Sequence, residues 1–360
     1  MSGQPLPISL SDADNDLFSV LQEMDYGDIH FRHDPKTGMR SIVAIHSTRE
    51  HGSLGGCRCI PYDTTLDALS DVMRLAQAMS YKAAFLNIPF GGGKSVIIRP
   101  KTFNAREETF AAFGHFINGL NGRYTTAMDS GTTPDDMKTI ARVSNYVSGL
   151  TKTVDSPAPF TAMGVFLGIQ AAVKHKLGRD DLRGLHVAIQ GIGNVGMALC
   201  KFIHEAGAKL TVTDINEEKC VEAARNFGAT IVDESDIYSV ACDVFAPCAL
   251  GGSINAQTVP RIKAPIIAGA ANNQLATQDI ANMLRERDIL YAPDYVINGG
   301  GLLFCAESYL GNSVDITNPK IQQIKHALTE IFEAADKTQQ PTSVIADEHA
   351  KKRISNYKPS

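Results

Sequence analysis

Residues 87–98 read NIPFGGGKSVII and set one lysine, Lys94, between three glycines and an apolar run. Such a stretch could cradle a phosphate, or it could clear side-chain bulk from around an amine that does chemistry. A phosphate loop needs a glycine six positions before its lysine, so that backbone N–H groups wrap the anion, and it opens a helix. Here that position is Ile88, Pro89 removes a donor, and SVII reads as a strand. Lys94 is therefore a candidate reactive amine. Two more charged residues stand in small, glycine-flanked settings, Lys82 in MSYKAAF (79–85) and Asp129 in AMDSGTT (127–133). The plain alternatives are a solvated surface charge for each lysine and a turn or helix cap for Asp129.

A second chemical signal lies at residues 185–207, LHVAIQGIGNVGMALCKFIHEAG. An apolar strand runs into Gly191-Ile192-Gly193-Asn194-Val195-Gly196, and a helix opens directly after. Between strand and helix this pattern reads as a dinucleotide site. The first glycine permits the tight turn, the second admits the pyrophosphate, and the third allows close helix–strand packing. The strand KLTVTD ends in Asp214, followed by Ile215, where an acidic side chain receives the adenosine ribose hydroxyls. A carboxylate there repels a 2′-phosphate, so NAD is expected over NADP. Two later strands end in VFAPCALGG (244–252) and IIAGAANNQ (266–274), which puts Ala246, Pro247, Ala270, Ala271 and Asn272 near the cofactor's ribose and nicotinamide.

Bulk properties narrow the class. The chain has 360 residues, enough for two domains, with 44% hydrophobic and 20% charged residues, as in globular proteins. A net charge of −5 offers no electrostatic case for nucleic acid or a membrane surface. No apolar run is long enough to span a bilayer. MSGQPLPISLSDADND has neither a basic nor an apolar leader region, so a cytoplasmic protein is expected. The seven cysteines are irregularly spaced without a CxxC pair, and the histidines form no HExxH, so neither disulfides nor a metal site is expected.

The elements that position these residues follow from periodicity. Residues 28–33, 41–47 and 55–60 read as strands, with a turn at DPKTG. Thr64 or Thr65 caps a helix whose apolar stripe is Leu66, Leu69, Val72, Met73, Ala76 and Met79. A glycine loop then turns the chain into a strand at 94–98, and helices fit 105–120 and 132–143, the last with Pro134 in its first turn. From about residue 160 a long apolar helix begins a strand–helix alternation that runs to about 298, and a final helix spans 319–337 before a polar tail. The expected fold class is α/β with two domains separated by a cleft. The boundaries fall at 1–149 for an N-terminal substrate-binding and catalytic domain, 150–335 for a Rossmann-type domain, and 336–360 for a segment packing back on the first.

LGGCR (54–58), MSYKAAF, PFGGGKSVI (89–97), MDSGTTPDDM (128–137), PFTAMGV (159–165), QGIGNVG (190–196), FAPCALGG (245–252) and APDYVINGGG (292–301) occur in this order. Together they resemble the leucine, valine, phenylalanine and tryptophan dehydrogenases of the glutamate dehydrogenase superfamily, from about residue 20 to 355. The resemblance implies oxidative deamination of an L-amino acid to a 2-oxo acid and ammonia with NAD, in a homo-oligomer. It implies that Lys82 binds the substrate α-carboxylate with help from Asn298, that Lys94 activates water, that Asp129 moves protons, and that Thr161 meets the nicotinamide amide. The physical logic agrees. A lysine serves as base only when neutral, and burial or a nearby cation such as Lys82 lowers its affinity for a proton from an ordinary pKa of about 10.4. Cofactor and lysines lie on different domains, so closure of the cleft is expected.

Where glutamate dehydrogenases carry a lysine in a KGG motif, this chain has Leu54-Gly55-Gly56. A second carboxylate would lie there without a partner, so glutamate is disfavoured. With Leu54, Met79, Ala127, Ile321 and Ile324 as lining, a branched-chain substrate is expected, with an aromatic one as alternative. Met128, beside Asp129, departs from the small or acidic residue common in relatives. A non-catalytic NAD-binding sensor is the rival from another class.

Overall fold

Alternating apolar residues build the first sheet. The structure, a computed structural model, describes residues 17–23, 26, 28–150, 156–313, 315 and 319–357. Residues 1–16, read above as free of a leader, lie outside the described residues. A short helix, α1 (Leu17–Glu23), precedes an antiparallel pair, β1 (Asp28–Asp34) and β2 (Met39–Ile45). β3 (Ser53–Ile60) leads into α2 (Thr65–Leu86), and β4 (Gly91–Ile98) follows. α3 (Arg106–Asn118), β5 (Tyr124–Met128) and α4 (Pro134–Ala141) complete the unit. The sheet order is β1-β2-β4-β3-β5, with β3 parallel to both β4 and β5.

Thr64 caps α2: its hydroxyl accepts from the Asp67 N–H at 3.1 Å, and the Asp67 carboxylate accepts from the Thr64 N–H at 2.9 Å. Leu69, Val72, Met73 and Ala76 pack against Ile42, Ala44, Val96 and Ile98 of the sheet. Leu66, expected in this stripe, is 49% exposed and lies outside the apolar cluster. The opposite sheet face buries Val43, Cys57, Ile97 and Tyr124 against Phe110 and Phe113 of α3.

The strand expected to begin at Lys94 begins at Gly91, so the glycines belong to the sheet rather than to a loop. They pair with β3 in register, Gly91 with Ser53 and Gly92 with Leu54. A Cβ on Gly92 would lie 1.9 Å from the Ser80 nitrogen of α2, and one on Gly91 would lie 2.0 Å from the Ser47 carbonyl oxygen. Glycine is what allows helix and backbone to approach this strand.

The second unit begins with α5 (Ala158–Leu177) and alternates β6 (His186–Gln190), α6 (Asn194–Glu205), β7 (Lys209–Thr213), α7 (Glu217–Phe227) and β8 (Thr230–Ile231). β9 (Val244–Pro247), β10 (Ile266–Ile267), α8 (Ile280–Glu286), β11 (Leu290–Tyr291), α9 (Asp294–Ile297) and α10 (Gly300–Tyr309) follow, then α11 (Gln323–Thr338) and α12 (Thr342–Ser355). All strand pairs are parallel, in the order β11-β10-β9-β6-β7-β8. The order reverses at β6, which places a switch point between β6 and β9. The helix read over 319–337 opens as a 3-10 turn, Pro319–Gln322, before α11. α12, in the stretch read as a polar tail, buries Ile345, Ala346 and Ala350, too sparse a pattern for a clear helical period.

The compact units are residues 1–155, 304–314 and 353–360 for the first, and 156–303 and 315–352 for the second. Residues 336–352, grouped with the terminal segment in the sequence reading, therefore belong with the second unit. Among the described residues no helix is long and apolar enough to cross a membrane.

Candidate active site

Side chains alternate along strands, so residues two apart share a face. Leu54, Gly56 and Arg58 of β3, Gly92 and Lys94 of β4, and Ala127 of β5 share the face that carries α2. Lys94 is only 7% exposed, and its Nζ is in contact with the Asp129 carboxylate, from the turn just after β5. β3 lies between the two strands, and Gly56 is what lets their side chains meet across it. A Cβ on Gly56 would lie 2.7 Å from the Asp129 Cβ.

The turn itself holds Asp129 in place. Its N–H donates to Thr132 Oγ1 at 2.9 Å, and its Oδ1 accepts from the Ser130 N–H at 2.6 Å. Thr133 caps α4, and Asp136 of the same helix accepts from Arg106 Nε at 2.8 Å, while Arg106 Nη2 donates to the Gly131 carbonyl at 2.9 Å. The expected cap role thus falls to Thr133 and leaves the Asp129 carboxylate for Lys94. Burial by itself would raise the Asp129 carboxyl. The charges of Lys94 and Arg58, with the hydrogen bonds from Lys94 and the Ser130 N–H, outweigh it and hold the group well below the usual carboxylate range. The neighbour in contact with Lys94 is thus a carboxylate, where the sequence reading had looked to a cation, Lys82.

Leu54 is fully buried, Ala127 is buried, and Met79 of α2 lies over Gly55, its Cγ 3.5 Å from where a Gly55 Cβ would stand. Lys82 is half-buried on the same helix, and its charge reaches the thiol of Cys305. Met128 is 41% exposed.

In the second unit the three motif glycines have three separate reasons. Gly191 has φ 95°, a left-handed conformation that favours glycine. A Cβ on Gly196 would lie 2.0 Å from the Gly191 carbonyl oxygen, so the residue permits helix and loop to touch. A Cβ on Gly193 would meet nothing within 4 Å. It would fill open space in front of the α6 N-terminus, where no side chain caps the helix. Ile192 is buried and offers backbone only, Asn194 is exposed and Val195 half-buried. This fits a pyrophosphate held by backbone N–H groups.

Asp214 accepts from the Ile192 N–H at 2.5 Å and from the Asn216 N–H at 2.8 Å. It anchors the glycine loop, and each oxygen keeps a second lone pair for a ribose hydroxyl. Ala246 and Pro247 end β9 beside β6, and the Ala271 N–H donates to the Pro247 carbonyl at 2.9 Å. Thr161, in the first turn of α5, packs against Gly301, whose Cβ would lie 2.6 Å from Thr161 Oγ1. Ile321 and Ile324 are buried, the latter beside Gly164 of α5.

Asn298 is tied to the loop after β10. Its Nδ2 donates to the Ala270 carbonyl at 3.0 Å and to Asn272 Oδ1 at 2.8 Å, which uses both amide hydrogens. The atom left without a hydrogen bond among the described residues is Oδ1.

Residues 26–146 match the family description "Glu/Leu/Phe/Val dehydrogenase, dimerisation domain", and residues 157–217 and 213–356 match "Glutamate/Leucine/Phenylalanine/Valine dehydrogenase". The chain is 46% identical over 342 residues to the leucine dehydrogenase of Geobacillus stearothermophilus, covering 94% of this chain and 93% of the relative. It is 43% identical over 345 residues to the L-tryptophan dehydrogenase of Nostoc punctiforme, covering 96% and 98%. The crystal structure of that enzyme aligns with a TM-score of 0.85 over 94% of this chain and 99% of that one, at 42% identity.

The chain belongs to the Glu/Leu/Phe/Val dehydrogenase family.

It is an amino acid dehydrogenase, an oxidoreductase acting on CH–NH2 donors. Two residues of this dehydrogenase escaped the sequence reading. Leu250 is 84% exposed in the loop after β9, as Ile215 is at 85% after β7, both at strand carboxyl ends where the switch-point rule puts a dinucleotide. An exposed large apolar residue inside FAPCALGG was the available signal for Leu250. Arg58 reaches the site from within LGGCR, and its partners are distant in sequence, so nothing local marked it. The cysteines are all free, and burial pushes Cys59 and Cys305 up to about 11 and Cys200, Cys242 and Cys248 up to about 12, far from reactive thiolates.

Proposed function

We propose that the enzyme catalyses the reversible, NAD-dependent oxidative deamination of an apolar L-amino acid to the 2-oxo acid, ammonia and NADH, with a branched chain such as leucine or valine favoured. The observation that carries this reading is the contact of Lys94 with Asp129 on a glycine-cleared sheet face that presents buried Leu54. The dinucleotide supplies the hydride acceptor when bound. The proton chemistry falls to the protein. Lys82 holds the substrate α-carboxylate. Asp129, ionised, takes the proton from the substrate ammonium, and hydride loss from Cα leaves an iminium. Lys94, in its neutral form, takes a proton from the water that adds to the iminium carbon. Asp129 returns its proton to the amine and takes the one released by the hydroxyl as the C–N bond breaks and the carbonyl forms. Lys94 and Asp129 act as a coupled pair with a shared proton count.

Asp214 supports NAD over NADP, since its carboxylate repels a 2′-phosphate at the end of β7. Leu54 supports an apolar substrate, since a second carboxylate beside it would be desolvated without a cation. An aromatic substrate is the second reading, favoured by the 43% identity to a tryptophan dehydrogenase. A pocket separates side chains by only ~1–3 kcal/mol per methylene, so a few residues decide between them. A homo-oligomer is part of the proposal, supported by the match of residues 26–146 to a dimerisation domain.

The test is NADH formation by the purified protein with L-leucine, L-valine, L-phenylalanine, L-tryptophan and L-glutamate at alkaline pH. Leucine or valine is expected to be fastest. Phenylalanine or tryptophan in front selects the second reading, glutamate in front removes the Leu54 argument, and silence with NAD still bound selects a sensor.

A further inference from the structure

Arg58 stands two residues beyond Gly56 on β3, on the same face as Lys94. Its Nη1 donates to Asp71 Oδ2 of α2 at 2.8 Å, and the Tyr62 hydroxyl donates to the same oxygen at 2.6 Å. These bonds fix the guanidinium so that Nε points to Asp129, 4.0 Å from Oδ2. That Nε is buried and makes no hydrogen bond among the described residues. The result is a row of alternating charge, Asp71, Arg58, Asp129 and Lys94, with side chains between 8% and 24% exposed. At 4 Å a pair of this kind interacts strongly in a partly desolvated site.

We propose that Arg58 is a positioning residue for the reaction, which turns the Asp129 carboxylate toward Lys94 and through its charge sets the pH at which the pair is ready to accept a proton. The proposal rests on the catalytic reading of Lys94 and Asp129. Of the other titratable groups near Asp129, burial pushes the Cys57 thiol of β3 and the Tyr124 phenol of β5, both on the opposite sheet face, well up, so both stay neutral. Arg58 is thus the cation beside Lys94 whose removal changes the field at the carboxylate. Loss of a positive charge makes every neighbouring group hold its proton to higher pH. A simple staple between β3 and α2 would instead change stability and leave the pH profile in place.

The test is kcat and kcat/KM against pH, with the best amino acid of the panel, for the wild type, Arg58→Gln, Arg58→Lys, Asp71→Asn and Asp129→Asn. Arg58→Gln is expected to lower kcat by roughly tenfold or more, with KM for NAD unchanged. Its acidic limb is expected to move up by about 1 pH unit. Arg58→Lys keeps the charge and restores the limb toward the wild type. Asp71→Asn removes a negative charge and loosens Arg58, so kcat falls without an upward shift. An unmoved limb in Arg58→Gln overturns the proposal, and so does an upward shift in Asp71→Asn. If Arg58→Gln does not fold, Arg58→Lys and Asp71→Asn decide by the same limb. An active Asp129→Asn enzyme would instead bring down the underlying catalytic reading.

Discussion

Lys94 and Asp129 touch across a strand to which neither belongs. Lys94 comes from β4 and Asp129 from the end of β5, and the strand between them, β3, passes beneath their contact at Gly56. Gly56→Ala would put a methyl group 2.7 Å from the Asp129 Cβ. The expected outcome is separation of the pair, with kcat down by ~100-fold and a stability loss of about 1–3 kcal/mol. Steady-state kinetics and denaturant unfolding check both, and near-normal turnover would mean that the contact across β3 is dispensable.

The glycines of the dinucleotide loop should separate binding from folding. Gly193→Ala adds a methyl group where nothing lies within 4 Å, at a φ of −70° that alanine adopts freely. It should fold like the wild type and lose most NAD affinity, read by titration calorimetry. Gly196→Ala forces a methyl to 2.0 Å from a carbonyl oxygen and should lower Tm instead. Equal affinity for NAD in Gly193→Ala and the wild type would place the pyrophosphate elsewhere.

Asp129 also links stability to pH. A carboxyl held below its ordinary value of about 3.9 contributes stability that is present above that value and lost as pH falls through the depressed one. Asp129→Asn removes this contribution and leaves buried Lys94 without its counter-charge. The Tm gap between the wild type and Asp129→Asn is expected to be widest near neutral pH and to narrow below about pH 4. A gap that stays constant from neutral to acid would contradict the ionised pair.

These relationships differ in how far they could be read from residue order. The glycines at 191, 193 and 196 were legible because backbone geometry demands them locally, between a strand and a helix. So was the stripe of α2, at Leu69, Val72, Met73 and Ala76, because burial against one sheet imposes the helical period. The strand at Gly91 was not, since glycine reads as a turn unless the close approach of Ser80 and Ser47 is known. Arg58 was not, since its partners lie in α2 and after β5 and come together only through the sheet order. The Asn298 hydrogen bonds to Ala270 and Asn272 likewise depend on loops brought together by the fold.

Asp214→Asn is expected to weaken the preference for NAD over NADP, because the charge that opposes a 2′-phosphate is gone while an acceptor for the Ile192 N–H remains. The ratio of kcat/KM for the two cofactors measures it. An unchanged ratio would mean that the ribose is recognised by other groups.

The most direct measurement is NADH formation by Lys94→Ala with the wild type's best amino acid, alongside NAD affinity of the same protein. Turnover should be abolished while NAD binds almost as before. A variant that keeps a tenth or more of wild-type activity would show that the amine on β4 does not activate the water.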